Sequence, residues 1–275
     1  MSFKKRIKAL TFDTGGTVLD WHTGFRDAFE TAGRRHGINR DWAVLANELR
    51  RRSMQAMLNL GRDAPPSYNF DGAHQFSLDA ILAEEGLDVF DDEDRRTIAW
   101  DAPHSFRSWP DVRDGLARLR DRYIAVSFTL LSHRLIIDTT RRNGLMWDAI
   151  LSCEGMGVYK PLPAAYTKAA AMLQLKPEEC LMVACHRFDL DAARNLGFRT
   201  ALINRPDEWG KAIGPQKPPP GSEPYDIELN SFLELAAFLE SESLAKRKSP
   251  SAVRARSAPL DQQLLADTAL IALYA

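Results

Sequence analysis

The 275-residue sequence has only three cysteines, Cys153, Cys180 and Cys185, and none forms a CxxC pair. That excludes a disulfide framework and fits a reducing compartment, so the expected location is cytoplasmic. No apolar run approaches the roughly 18 to 20 residues of a membrane span. The N-terminus, Met1 to Lys8, is basic, but the apolar run after it is short and is broken by Asp13 and Gly15, unlike a signal peptide. Charge of one sign is also missing: 36 basic residues against 37 acidic ones leave a net charge of -1. No global field then recruits nucleic acid or an anionic membrane, and neither is expected as a partner. Internal repeats at solenoid periods are absent as well.

What is present is an ordinary globular mix, 45% hydrophobic and 27% charged. The chain is long enough for one large domain with an insertion, or for two modest domains. Short apolar runs at Ile7–Asp13, Tyr123–Thr129, Ala149–Cys153, Cys180–Cys185, Thr200–Asn204 and Tyr225–Leu229 read as strands. Helix-period segments at Val112–Arg122, His133–Asn143, Ala164–Leu173 and Leu190–Leu196 fall between most of the later ones. This alternation predicts the α/β class, a Rossmann-like doubly wound parallel sheet. Between the first two strands lie helical stretches at Phe25–His36, Trp42–Leu60, Gly72–Glu85 and Asp92–Phe106, far more than one crossover needs. An inserted helical cap domain at 21–107 is therefore expected over a core of 1–20 and 108–243, followed by a linker and tail at 244–275. Pro215 to Pro224 reads as a Pro-rich loop. Leu260 to Ala275 has the spacing of an amphipathic helix that would dock on the core or on a second subunit, so a homodimer is a possible assembly.

The chemistry begins where strand one ends, at Phe12-Asp13-Thr14-Gly15-Gly16-Thr17. Two glycines let the backbone turn sharply and leave the Asp13 carboxylate at the strand's end. Alone this is more often a plain turn. Three further strand ends change that reading: Thr129 closes the second, Tyr159-Lys160-Pro161 follows the third, and Cys185-His186-Arg187-Phe188-Asp189 follows the fourth. In a parallel sheet these ends converge on one edge, where ligands bind.

Taken together, the constellation resembles the haloacid dehalogenase superfamily, and within it most nearly the 2-haloacid dehalogenases. The resemblance runs from about Lys8 to Trp209 and is carried by FDTGGTVLDW (12–21), YKPLPAAY (159–166), VACHRFDLDAA (183–193) and GFRTALINRPDEW (197–209). It implies a hydrolase in which Asp13 attacks the halogen-bearing carbon of a small halogenated carboxylate, forming an ester that water cleaves. Lys160 would favour the ionised Asp13, and Asp189 would hold Lys160 and the hydrolytic water. Thr17 and Thr129 would bond Asp13 or the substrate, Tyr166 would border the pocket, and Arg50 would bind the substrate carboxylate or departing halide.

Plain structural readings stand beside these: a solvated Lys160 before a proline, Asp189 as a helix N-cap, and an arginine run whose register slips to Arg51. Ser132 competes with Thr129 as the functional hydroxyl, although counting back from Gly144 favours Thr129. His186 stands where the resemblance often has Asn, and would donate to departing halide, favouring even fluoride, or act as base. Leu130 removes a donor, and Gly15 replaces an aromatic residue.

A Mg²⁺-dependent phosphatase of the same superfamily is the main rival. It would carry an acid two residues after the nucleophile and a metal-binding carboxylate four residues before Asp189, but those positions are Gly15 and Cys185. A hard cation wants oxygen ligands, so no metal and no cofactor is expected. A non-catalytic binding protein on this fold is the third reading.

Overall fold

A computed structural model describes residues 3–59, 68–214 and 223–245. The expected terminal helix at 260–275 and most of the Pro-rich loop lie outside the described residues. Six strands form one sheet: β1 Ala9–Phe12, β4 Ile124–Thr129, β5 Ala149–Ser152, β6 Cys180–Ala184, β7 Arg199–Ile203 and β8 Ile227–Leu229. The order is β5-β4-β1-β6-β7-β8 and every pairing is parallel. All of β1 and β6 is buried, as expected of strands covered on both faces. Phe12 packs against Trp147 and Phe232, its centroid 5.5 and 5.2 Å from theirs.

The topology decides where a ligand goes. From β1 the chain crosses to β4 and β5 on one side, then returns to place β6 on the other side of β1. The carboxyl ends of β1 and β6 thus flank a switch point, where open α/β sheets form a crevice. Asp13 follows β1 and His186 follows β6 by two residues.

The remaining helices are α1 Trp21–Arg35, α2 Trp42–Asn59, α3 Phe70–Glu84 and α4 Asp92–Arg96 in the long segment after β1. Then follow α5 Val112–Arg120, α6 His133–Asn143, α7 Cys153–Met156, α8 Pro163–Met172, α9 Arg187–Asn195 and α10 Phe232–Ala245. Helix α1 starts earlier than the periodicity predicts because Asp20 caps it, accepting from the Thr23 N–H at 3.0 Å. The single helix expected over 92–106 is broken. A π-turn at Thr97–Asp101 and a 3-10 turn at Pro103–Ser105 follow α4, and Pro103 has no N–H to continue the ladder. Helix α9 begins at Arg187, so Asp189 lies inside its first turn and is not the N-cap.

A two-residue antiparallel ribbon, β2 Leu19–Asp20 with β3 Arg107–Ser108, ties together the points where the chain leaves and rejoins the sheet. Near this crossing lies a buried polar network. The His104 Nδ1 is 2.8 Å from Asp138 on α6 and its Nε2 is 3.5 Å from Asp71 on α3. Ser132, which caps α6, donates to Asp71 at 2.6 Å. Burial works against charge on His104, but Asp71 and Asp138 outweigh it and raise the imidazole above its ordinary value of 6.5.

A raised histidine contributes stability that is complete below its unfolded pKa and is lost as pH rises through the folded one. The wild type should therefore lose stability relative to His104→Gln as pH is raised from below about 6.5. Denaturant midpoints of both proteins across pH 6 to 9 check this; a constant difference across the window would refute the assignment.

Candidate active site

The loop after β1 is shaped by two backbone demands. Asp13 extends the strand by one bond, its N–H donating to the Val183 carbonyl at 3.0 Å. The chain then folds back so that the N–H groups of Val18 and Leu19 both donate to the Thr14 carbonyl at 3.0 Å. Gly16 has a φ of 93° and its Cα faces the Glu208 carboxylate so closely that a β-carbon would collide with it. The fold-back returns the Thr17 hydroxyl to Asp13 Oδ2 at 2.8 Å, and the Cys185 N–H donates to that hydroxyl at 2.9 Å. The hydroxyls of Thr14 and Thr129 bond each other, and the Leu131 N–H donates to Thr129 at 3.1 Å.

Lys160 lies between two carboxylates. Its Nζ donates to Asp13 Oδ1 at 3.1 Å and to Asp189 Oδ2 at 2.5 Å, and its side chain is fully buried. Tyr166 donates to the other oxygen of Asp189 at 2.6 Å. Placement of Asp189 in the first turn of α9 also favours its negative charge. The residues expected at this point are thus brought together, with one correction. Tyr166 does not line the pocket beside Asp13: it is wholly buried behind Asp189, in edge contact with Phe128, because α8 turns this face onto the sheet.

Burial by itself raises the Asp13 carboxyl, but the Lys160 ammonium, His186 and Thr17 together hold it well below the usual carboxylate range. Burial, reinforced by the neighbouring Asp13 charge, leaves Asp189 above its ordinary value even beside Lys160. The two carboxylates raise Lys160 despite its burial. Asp13 is therefore ionised at neutral pH.

His186 brings in a residue that the sequence reading missed. Its Nδ1 is 3.0 Å from Asp13 Oδ2, and its Nε2 is 2.9 Å from Glu208 Oε1. Glu208 is buried and accepts from the Trp21 indole at 3.0 Å. It lies in the loop after β7, the next strand end along the same edge, within the RPDEW stretch; a search of every strand end for carboxylates would have found it.

Arg50 comes from α2 and is 4% exposed. Its Nη2 donates to the Gly15 carbonyl at 3.2 Å, and its guanidinium faces the rings of Trp21 and Phe70. A β-carbon at Gly15 would lie 3.1 Å from that nitrogen, so the missing side chain makes room for Arg50. Arg51 pairs with Glu48, and of the two it is Arg50 that reaches the turn after β1. Between Arg50 and Asp13 opens a pocket enclosing about 230 Å³, its mouth included. Asp13, Arg50, Thr129 and His186 supply its polar wall; Met54, Phe70, Leu130, Leu131 and Phe188 supply the apolar one. Thr129 faces this pocket, whereas Ser132 is committed to capping α6 and to Asp71.

Asp13, Cys185 and His186 offer ligand atoms within 4.8 Å of one another. This donor set does not fit Mg²⁺, which wants oxygens, and Lys160 already occupies the other oxygen of Asp13. Burial and Glu208 push the Cys185 thiol up.

Replacing Lys160 with Met leaves two buried carboxylates without their shared cation and should cost about 3 to 5 kcal/mol at neutral pH. Asp13, depressed in the folded state, contributes stability above its unfolded value of 3.8 that is lost as pH falls. The penalty should shrink as pH falls below that value, measured as the difference in urea midpoints between wild type and Lys160→Met; a pH-independent difference would contradict it.

The chain is similar to known proteins in sequence and in fold. A sequence model described as haloacid dehalogenase-like hydrolase matches residues 7–197. The chain is 26% identical over 240 residues to (S)-2-haloacid dehalogenase 1 of Pseudomonas sp. (strain CBS-3), covering 85% of this chain and 96% of that protein. Among solved structures it is similar to the defluorinating L-2-haloacid dehalogenase Rha0230, with 33% identity, a TM-score of 0.75, and coverage of 85% of this chain and 95% of that one. It is also similar to the L-2-haloacid dehalogenase PA0810, with 30% identity, a TM-score of 0.75, and coverage of 86% and 99%. No helix among the described residues is long and apolar enough to cross a membrane. With the family match spanning residues 7–197, most of its length, the chain belongs to the haloacid dehalogenase-like hydrolases.

Proposed function

We propose that the protein is a hydrolytic dehalogenase of small 2-haloacids. The observation that carries this reading is an ionised carboxylate, Asp13, facing a buried arginine, Arg50, across a small pocket with an apolar wall. The names of the relatives, (S)-2-haloacid dehalogenases, support it.

Arg50 binds the substrate carboxylate, and the apolar side chains take the halogen and the carbon chain. An Asp13 oxygen forms a bond to the 2-carbon as the carbon–halogen bond breaks, and the electron pair leaves with the halide. Halide needs no proton, so the absence of an acid at Gly15 costs this reaction nothing. Phosphoryl transfer would miss both that acid and an oxygen ligand at Cys185, and is the weaker reading. Water then adds to the Asp13 carbonyl carbon and the ester bond breaks, releasing a 2-hydroxy acid. In this reading the helices of 21–107 act as a cap that carries Arg50 and Phe70 onto the pocket.

Halide-electrode assays on chloroacetate, fluoroacetate and 2-chloropropionate should detect release, while a phosphatase screen with and without Mg²⁺ should stay at background. Phosphatase turnover without halide release would overturn the proposal, and neither activity would favour a binding protein. Asp13→Asn should abolish turnover, and single turnover in oxygen-18 water should place label in Asp13 before it reaches product. Arg50→Ala removes a charge-assisted contact worth about 1.5 to 3 kcal/mol and should lower kcat/KM roughly tenfold to a hundredfold.

A further inference from the structure

We propose that Glu208 is the positioning residue of a His186–Glu208 pair that serves as the base for hydrolysis of the Asp13 ester, and that formation of the ester is what frees His186 to act. This rests on the dehalogenase reading above.

Asp189 has both oxygens engaged, by Lys160 and by Tyr166, and is wholly buried. His186 lines the pocket beside Asp13. Its ring is fixed on three sides: Nε2 against Glu208 at 2.9 Å, the face against Phe188 with centroids 5.5 Å apart, and Cys185 Sγ at 3.5 Å. Glu208 is itself fixed by the Trp21 indole and fits only because position 16 is glycine. Such a chain of carboxylate, imidazole and reacting group is how a base is oriented in covalent catalysis: the carboxylate holds one tautomer and favours the imidazolium that forms.

The distances also set the order of events. In the resting site both ring nitrogens face carboxylate oxygens, at 3.0 and 2.9 Å, and bonding both requires an N–H at each. His186 then cannot take a proton. Esterification replaces the Asp13 anion with a neutral ester, so the Nδ1 proton loses its ionic acceptor and leaves to solvent, the one proton released per halide. Nε2–H stays on Glu208, and the Nδ1 lone pair points at the ester. Water adds through its oxygen to the Asp13 carbonyl carbon and gives one proton to Nδ1. The ester carbon–oxygen bond then breaks, the leaving alkoxide takes the proton of the new Asp13 carboxyl, and the resting pair of carboxylate and imidazolium is restored.

Rapid-quench kinetics on Glu208→Gln and His186→Asn, with intact-mass analysis of the quenched protein, test this. Both variants should give a halide burst approaching one per active site, then steady-state turnover about 100-fold below wild type, within the range of general base catalysis. The adduct mass should accumulate on the protein. A residue that only props up the fold would lower the burst amplitude and leave no adduct. Loss of the burst, wild-type turnover, or slow turnover without adduct in Glu208→Gln, with native circular dichroism, would overturn the pair while leaving the dehalogenase reading intact. Absence of halide release by the wild type would overturn both.

Discussion

The ammonium of Lys160 is the constraint on which the site depends. Moving one charge out of water costs several kcal/mol after relaxation, and here Asp13, Asp189 and Lys160 are all removed together. A hydrophobic trio of the same volume would pack at no such cost, so this arrangement is a poor way to stabilise a sheet. What it provides is asymmetry. One cation shared by two carboxylates, with Thr17 and His186 on one and Tyr166 on the other, drives Asp13 down and leaves Asp189 up. The two identical groups are thereby given opposite shifts by their surroundings.

The loop after β1 adds shape to that charge. Both of its glycines are occupied from outside: Arg50 enters over Gly15 and Glu208 over Gly16. Each of these groups is charged, buried and delivered by a distant element, α2 in one case and the loop after β7 in the other. Two missing side chains thus allow a cation and an anion to close on opposite sides of the same turn. Trp21, at the start of α1, touches both, its indole on Glu208 and its ring facing Arg50.

Most of the sheet was legible because buried parallel strands are continuous apolar runs, and the six strand candidates fall on β1 and β4 to β8 within one or two residues. The β2–β3 ribbon was not, since two residues carry no period. Helix α10 escaped because apolar residues on its exposed side, Leu233 and Ala237, blur the period of the buried Phe232, Leu235, Ala236 and Leu239. In the site, Asp13, Lys160, His186 and Asp189 were legible because each follows a strand. That Tyr166 meets Asp189 and Phe128 was not legible, because a helix register does not say which neighbour its face meets. Glu208 was invisible because its partners are tertiary: Trp21 is 187 positions away and His186 is 22.

A strongly depressed Asp13 raises an apparent conflict, since lowering a carboxylate's basicity also lowers its power to attack. Burial resolves it. In water the carboxylate would be fully solvated and would have to shed that shell before approaching carbon; here the shell is replaced by fixed donors that need not reorganise. Lys160 binds Oδ1, while Thr17 and His186 meet at Oδ2. The donor on Oδ1 is a permanent cation, but the one His186 supplies at Oδ2 is titratable and belongs to a ring anchored elsewhere. Of all the contacts that keep Asp13 ionised, the His186 bond is the one that the proposed ester chemistry would undo and remake in each cycle, so under that proposal a histidine at this position bears on the mechanism and not merely on the fit.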